Sequence, residues 1–178
     1  GHLEESIKNY KQLLEIEKND ADALYNLANI YTTQKNIDEA IELYKKAISL
    51  KPKDHRYLNN LGLAYSQIGQ YNDAETCYTK AIELSPNDPY YHFNLGNTRR
   101  IKKNFEFAKK SFQRAISLKP EIADFTINLA FLHLALCELK EGFRLYEIRF
   151  LKKDTNIPLL PKRIYSDTIP KDARLLIH

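Results

Sequence analysis

The amino-acid sequence predicts an all-α protein that is a solenoid of helical hairpins with an irregular C-terminal extension. Three observations predict this fold: small residues recur every 34 positions, apolar residues follow the three-and-four spacing of amphipathic helices, and a proline closes each unit. The recurring small residues and prolines are Ala40, Ala74 and Ala108, then Pro52, Pro86 and Pro120. A content of 43% hydrophobic and 28% charged residues is typical of a folded globular chain.

The first element is an amphipathic helix, predicted from Leu3 to Lys18 by the spacing of Ile7, Tyr10 and Leu13. When the chain is divided into 34-residue units, this helix corresponds to the second helix of a unit. Residues 1–20 are therefore predicted to be half of a truncated repeat. Because a half unit exposes the face that its partner helix should cover, we expect further repeats to precede it in a longer protein.

Three whole repeats follow, at residues 21–54, 55–88 and 89–122. Asn19-Asp20 supplies an N-cap signal for the first helix of the first repeat, and Asn36 precedes its second helix. The most complete copy is residues 55–88. Its signature residues are Leu58, Leu61, Gly62, Tyr65, Gly69, Tyr71, Ala74, Tyr78, Ala81 and Pro86.

The third repeat departs from the pattern at Arg99, which stands where the first two repeats carry Tyr31 and Tyr65. A charged side chain is costly in a packed seam. We expect either that Arg99 extends outward to solvent along its aliphatic stem or that the seam is locally open.

Residues 123–152 are predicted to form a degenerate terminal repeat, in which His133 replaces the tyrosine and Gly142 replaces the alanine. Residues 153–178 read as a linker containing Pro158, Pro161 and Pro170 and, at its end, the first strand of a possible following domain.

The 55–88 unit resembles the tetratricopeptide repeat, whose 34-residue pattern it matches at every position except the opening tryptophan, where Leu58 stands. The resemblance implies a right-handed superhelix with a concave groove that binds proteins or peptides, and no catalytic activity in this chain itself.

Four asparagines in the first helices predict the binding site: Asn26, Asn60, Asn94 and Asn128 are spaced by 34 residues throughout. This row resembles the asparagine ladder in the groove of O-linked N-acetylglucosamine transferases. The resemblance implies that the amides hold the backbone of an extended peptide. Asn29 and Asn97 lie three positions on, and Tyr25, Tyr90 and Phe93 are predicted aromatic anchors. The alternative is that the asparagines bond neighbouring helices and fix the register of the repeats.

Two further functions remain open. Residues 142–150 and the segment after them resemble the junction at which bacterial tetratricopeptide proteins continue into a glycosyltransferase domain. This implies an acceptor-recognition region whose catalytic domain lies beyond residue 178. The third hypothesis is a self-assembling scaffold, with homo-oligomers. A chaperone-type dicarboxylate clamp is not favoured, because Tyr25 and Asn94 occupy positions where that clamp carries basic residues.

Other classes are not favoured by composition. The histidines share no metal-ligand spacing and no phosphate-binding or nucleophile motif occurs, so neither a metal nor a cofactor is expected. The net charge of +4 is modest and its charges are interspersed, which does not favour nucleic acid; the basic run from Arg99 to Lys103 reads as a solvated helix end. No apolar run is long enough for membrane insertion. The two cysteines, Cys77 and Cys137, indicate a reducing compartment, and we expect the cytoplasm.

Overall fold

The computed structural model describes residues 2–147, and this part of the chain folds into helices without a strand. The helices are α1 His2–Ile16, α2 Ala21–Thr33, α3 Ile37–Leu50, α4 His55–Gln67, α5 Tyr71–Leu84, α6 Pro89–Ile101, α7 Phe105–Leu118, α8 Ala123–Ala135 and α9 Leu139–Tyr146. The predicted all-α helical-hairpin fold is confirmed. The predicted linker and strand at 153–178 lie outside the described residues, as does the end of the degenerate repeat.

Aspartates begin the first helix of three successive hairpins. The Asp20 carboxylate accepts hydrogen bonds from the amides of Asp22 and Ala23 at 2.9 and 3.0 Å. Asp54 and Asp88 cap α4 and α6 in the same way. At the fourth hairpin Ile122 stands in this place and offers no side-chain acceptor. These caps pair amides that a helix start leaves unpaired.

The turn inside each hairpin contains a residue with positive φ: Lys35, Gly69, Lys103 and Cys137, at 65°, 78°, 61° and 60°. Only the second is a glycine, the residue that adopts this conformation without steric cost. The next residue enters the second helix with ψ near 65° instead of the extended value of Asp20. Asn36 precedes α3 as expected, but its side chain makes no capping hydrogen bond.

Small residues against large rings hold each hairpin closed. Tyr78 on α5 and Phe112 on α7 are buried against the preceding helix, and a Cβ added to Gly62 on α4 would lie 2.7 Å from the Tyr78 ring. A Cβ added to Gly96 would lie 2.7 Å from the Phe112 ring. These contacts require side chains of these sizes, since a buried seam leaves no room for an added methyl group.

The hairpins stack so that their first helices approach one another. Helix α2 contacts α4, and α4 contacts α6, whereas the second helices make no comparable contact within residues 2–147. Between hairpins, each first helix packs mainly on the second helix of the preceding hairpin, and α2, α4 and α6 also meet along one side of the stack.

Arg99 follows neither of the two predicted arrangements. Its guanidinium donates to Glu75 at 2.7 Å and to the Ser111 hydroxyl at 3.1 Å, and Lys102 donates to the same carboxylate at 2.6 Å. The Glu75 carboxylate, on the preceding hairpin, compensates the charge that replaces a tyrosine. The seam stays closed because its cation is paired.

The two ends of the described stack differ. Helix α1 packs on α2 but has no buried residue, and Ile16 is 83% exposed. At the other end, a Cβ added to Gly142 would lie 2.6 Å from a methyl group of Leu134. The glycine that replaces the repeat alanine thus brings α9 close to α8. Within residues 2–147, no helix is long and apolar enough to cross a bilayer.

Candidate functional site

The four periodic asparagines occupy the same position of α2, α4, α6 and α8, and each is half-buried. Each precedes a buried leucine: Leu27, Leu61, Leu95 and Leu129. The asparagine side chains therefore lie where the packed core meets the surface, on the side of the first helices that faces away from the hairpin seam.

Asn60 is the centre of a hydrogen-bond network between the first two whole hairpins. Its amide nitrogen donates to Asn29 Oδ1 at 2.8 Å and to the Tyr25 hydroxyl at 3.0 Å. The Tyr44 hydroxyl donates to the same Asn29 oxygen at 2.7 Å. Both amide hydrogens of Asn60 are thus used within the protein, as the register hypothesis expects at this position.

Asn59 extends the network to the third hairpin, and sequence reasoning missed it. Its amide donates to Asn60 Oδ1 at 3.1 Å, and its oxygen accepts from Asn94 at 3.0 Å. The equivalent residues of the other hairpins are Tyr25, Phe93 and Ile127, so a search for periodic polar residues does not find it.

The side-chain amides of the other asparagines in the predicted site are not fully hydrogen-bonded. Asn26 and Asn97 make no side-chain hydrogen bond within residues 2–147. Asn94 uses one amide hydrogen on Asn59, and Asn128 donates one to the Asp124 carbonyl at 2.8 Å. The described structure leaves the carbonyl oxygens of all four side chains without a protein donor. Each can still accept a hydrogen bond and donate at least one.

The three predicted aromatic anchors differ in accessibility. The Tyr25 ring is half-buried and stacks on Tyr57 with centroids 4.6 Å apart. Phe93 is also half-buried, with Phe125 at 4.9 Å and Phe112 at 5.8 Å. Tyr90 is 50% exposed. Of the three, Tyr90 presents the most ring surface.

A charged cluster lies at the N-terminal ends of α2 and α4, one turn before Asn26 and Asn60. The Asp22 carboxylate accepts hydrogen bonds from Lys51 at 2.5 Å and from the Tyr57 hydroxyl at 2.6 Å. The Lys51 hydrogen bond, followed by that of Tyr57, lowers the pKa of Asp22 below its ordinary value. Arg56 forms a two-contact pair with Asp54, at 2.6 and 3.0 Å. These charges are satisfied among themselves.

No group of three or more potential metal-ligating side chains occurs in the described part of the chain.

Family models place the chain in a class. Models described as tetratricopeptide repeat match residues 21–54, 55–88 and 77–108, and one described as TPR repeat matches residues 1–35. Together with the helical-hairpin fold, these matches show that the chain belongs to the tetratricopeptide-repeat proteins.

Solved structures with the same fold include several tetratricopeptide-repeat proteins. MamA (residues 41 to end) from Desulfovibrio magneticus RS-1 superposes with a TM-score of 0.80 at 21% identity, over 86% of this chain and 89% of that one. YrrB, described as a TPR protein with an unusual peptide-binding site, gives 0.71 at 22% identity, over 81% and 74%. The first TPR of Spaghetti (RPAP3), bound to the HSP90 peptide SRMEEVD, gives 0.64 at 27% identity, over 66% and 93%. No curated protein matches the chain.

Proposed function

We propose that this protein is a non-catalytic protein-interaction module that binds an extended polypeptide along α2, α4, α6 and α8. The observation that carries the proposal is the row of half-buried asparagines, several of which keep unused hydrogen-bonding capacity. A peptide backbone in extended conformation presents alternating amide and carbonyl groups, and an asparagine amide pairs with both.

The related structures support a peptide as the ligand. One is described as having a peptide-binding site and another as bound to a peptide. The acidic HSP90 peptide itself is not the expected ligand, because Tyr25 and Asn94 stand where the dicarboxylate clamp carries basic side chains.

The test is binding of the labelled protein to an array of immobilised random peptides, with wild type compared with an Asn94→Ala/Asn128→Ala variant. The variant should bind the selected peptides more weakly by about 1–3 kcal/mol, because a hydrogen bond to the ligand backbone is lost at each site. Asn72→Ala is the matched control, since Asn72 is an exposed asparagine on α5. Equal affinity of wild type and folded double variant would contradict the proposal.

A second candidate, the self-assembling scaffold, is favoured by α1. Its apolar side chains Leu3, Leu13 and Ile16 are 48%, 36% and 83% exposed. Exposed apolar side chains on one helix favour contact with another surface. Light scattering over a concentration series tests this candidate, and a monomer at every concentration would contradict it. The glycosyltransferase hypothesis stays a prediction, since most of its segment lies outside the described residues.

A further inference from the structure

Twelve residues of the four first helices form what we call the groove face. They occupy three equivalent positions of each helix and lie on one side of it, because the third position follows the other two by three and four residues, the spacings of neighbours on a helix surface. The groove face consists of Tyr25, Asn26, Asn29, Asn59, Asn60, Leu63, Phe93, Asn94, Asn97, Ile127, Asn128 and Phe131. None of the twelve is buried.

The groove face carries no charged residue, although 28% of the chain is charged. Twelve positions filled at that frequency would hold about three charges, and surface positions usually hold more than the average. Charges begin one turn earlier on the helices, at Asp22, Arg56 and Asp124, and Asp22 and Arg56 are paired with Lys51 and Asp54. The absence of charge is therefore specific to the face itself.

The two halves of the groove face differ in what they leave open. On α2 and α4, Asn29, Asn59 and Asn60 bond to one another or to tyrosine hydroxyls. On α6 and α8, the amides of Asn97 and Asn128 have spare capacity beside exposed rings. Asn26 on α2 also makes no side-chain hydrogen bond within residues 2–147, but the ring beside it, Tyr25, is half-buried. The α6 and α8 half is therefore the one in which open amides and an exposed ring of the groove face occur together.

Apolar side chains surround these open amides. Phe131 is 50% exposed, and one side of its ring packs on Tyr146 at 5.3 Å. Tyr90, one turn before Phe93 on α6, is also 50% exposed, and Ile101, one turn after Asn97, is 46% exposed. Exposed rings fixed by neighbouring rings, next to unpaired amides, have the composition of an interface centre.

We infer that the segment bound here is uncharged where it crosses the groove face and places aromatic or large aliphatic side chains at two separate points, one against Phe131 and one against Tyr90. This inference rests on the proposed function and specifies its ligand. A charged ligand side chain would lose water on this face and meet no opposite charge among its twelve residues, which is unfavourable. An apolar side chain gains contact with the exposed rings while Asn94, Asn97 and Asn128 pair with the backbone on either side of it.

The experiment uses the full chain, fluorescently labelled, on an array of immobilised random-sequence peptides. Peptides retained by the wild type should share a stretch that lacks Asp, Glu, Lys and Arg and contains Phe, Tyr, Leu or Ile. Phe131→Ser should weaken binding of these peptides about tenfold, the loss typical of a central apolar contact. Phe131→Leu, which keeps a large apolar side chain, should retain most of the wild-type affinity. Phe107→Ser is the control, because Phe107 is 58% exposed on α7, outside the groove face.

The outcomes distinguish this inference from the proposed function. Retained peptides that are rich in acidic or basic residues, or that bind Phe131→Ser as tightly as wild type, would overturn this inference and leave the proposed polypeptide binding intact. An array on which no peptide is retained would overturn both. A circular-dichroism melt of Phe131→Ser shows whether the variant is folded, and Tyr90→Ser provides a second, independent substitution at an exposed ring with the same expected loss.

Discussion

Asn60 on α4 donates a hydrogen bond to the Asn29 side-chain oxygen on α2 at 2.8 Å, across the boundary between two hairpins. Asn29 also accepts from Tyr44 of its own hairpin, so one oxygen connects three helices. Two asparagines of the predicted site therefore hold neighbouring repeats together, while Asn26 and Asn97 make no such bond within residues 2–147. The same residue type thus has different surroundings along one stack.

The first prediction compares the contributions of Asn60 and Asn26 to the stability of the fold. Asn60→Ala removes hydrogen bonds to Asn29, Tyr25 and Asn59 and should lower the free energy of unfolding by about 1–3 kcal/mol. Asn26→Ala, the matched substitution on α2, should change it by less than about 0.5 kcal/mol. Urea denaturation measures both. Equal losses in the two variants would contradict the assigned role of Asn60.

The second prediction concerns the hairpin seam. Ala108 is fully buried, so Ala108→Leu should destabilise the protein by about 1–3 kcal/mol through overpacking. Ala135→Leu introduces the same side chain at an exposed position of α8 and should have little effect. Thermal melts compare the two, and an unchanged midpoint for Ala108→Leu would show that the seam tolerates the added volume.

The third prediction tests the close approach of α6 and α7. An added methyl group at Gly96 would lie 2.7 Å from the Phe112 ring, so Gly96→Ala should cost about 1–3 kcal/mol. Repeat one carries Ala28 at this position, packed with the equivalent ring Tyr44, so the helix backbone accepts a Cβ here and the cost at Gly96 depends on where the Phe112 ring lies. If so, Gly96→Ala should cost less in a Phe112→Leu background. Additive losses in denaturant unfolding would argue against the clash.

The fourth prediction is a pH dependence at Glu75. Burial raises the pKa of this carboxyl, but the hydrogen bonds from Lys102 and Arg99 outweigh burial and hold its pKa below the ordinary 4.5. A carboxyl whose pKa is lower in the folded state contributes stability above its unfolded-state pKa and loses it as pH falls through the folded-state value. The stability difference between wild type and Glu75→Gln should therefore be largest near neutral pH and shrink below 4.5.

Urea titrations across this pH range measure that difference. Glu106→Gln is the control, because the Glu106 side chain is 78% exposed and lies 3.5 Å from its lysine partner. A surface pair of this kind contributes little at any pH. A Glu75→Gln difference that stays constant well below pH 4.5 would rule out the proposed linkage.

The charged position Arg99 shows the limit of pattern reasoning. The repeat pattern identifies Arg99 as an exception. The two expectations, an outward side chain or an open seam, took into account only the hairpin that contains Arg99. Its partner Glu75 lies 24 residues away on the preceding hairpin, and the repeat pattern assigns no charge to that position. Arg99 departs from the repeat pattern, and so does the Glu75 that pairs with it, so no periodic pattern predicts their contact.

The sequence by itself determined the all-α hairpin fold, the course of its helices and the buried positions such as Ala74, because a 34-residue period imposes the same local surroundings in every unit. Only the tertiary structure decided that Asn59 joins the asparagine row, that Tyr25 is covered by Tyr57 while Tyr90 stays exposed, and that Arg99 is paired. The physical reason is that hydrogen bonds and ring contacts between hairpins depend on which side chain the neighbouring hairpin presents, and that differs from repeat to repeat.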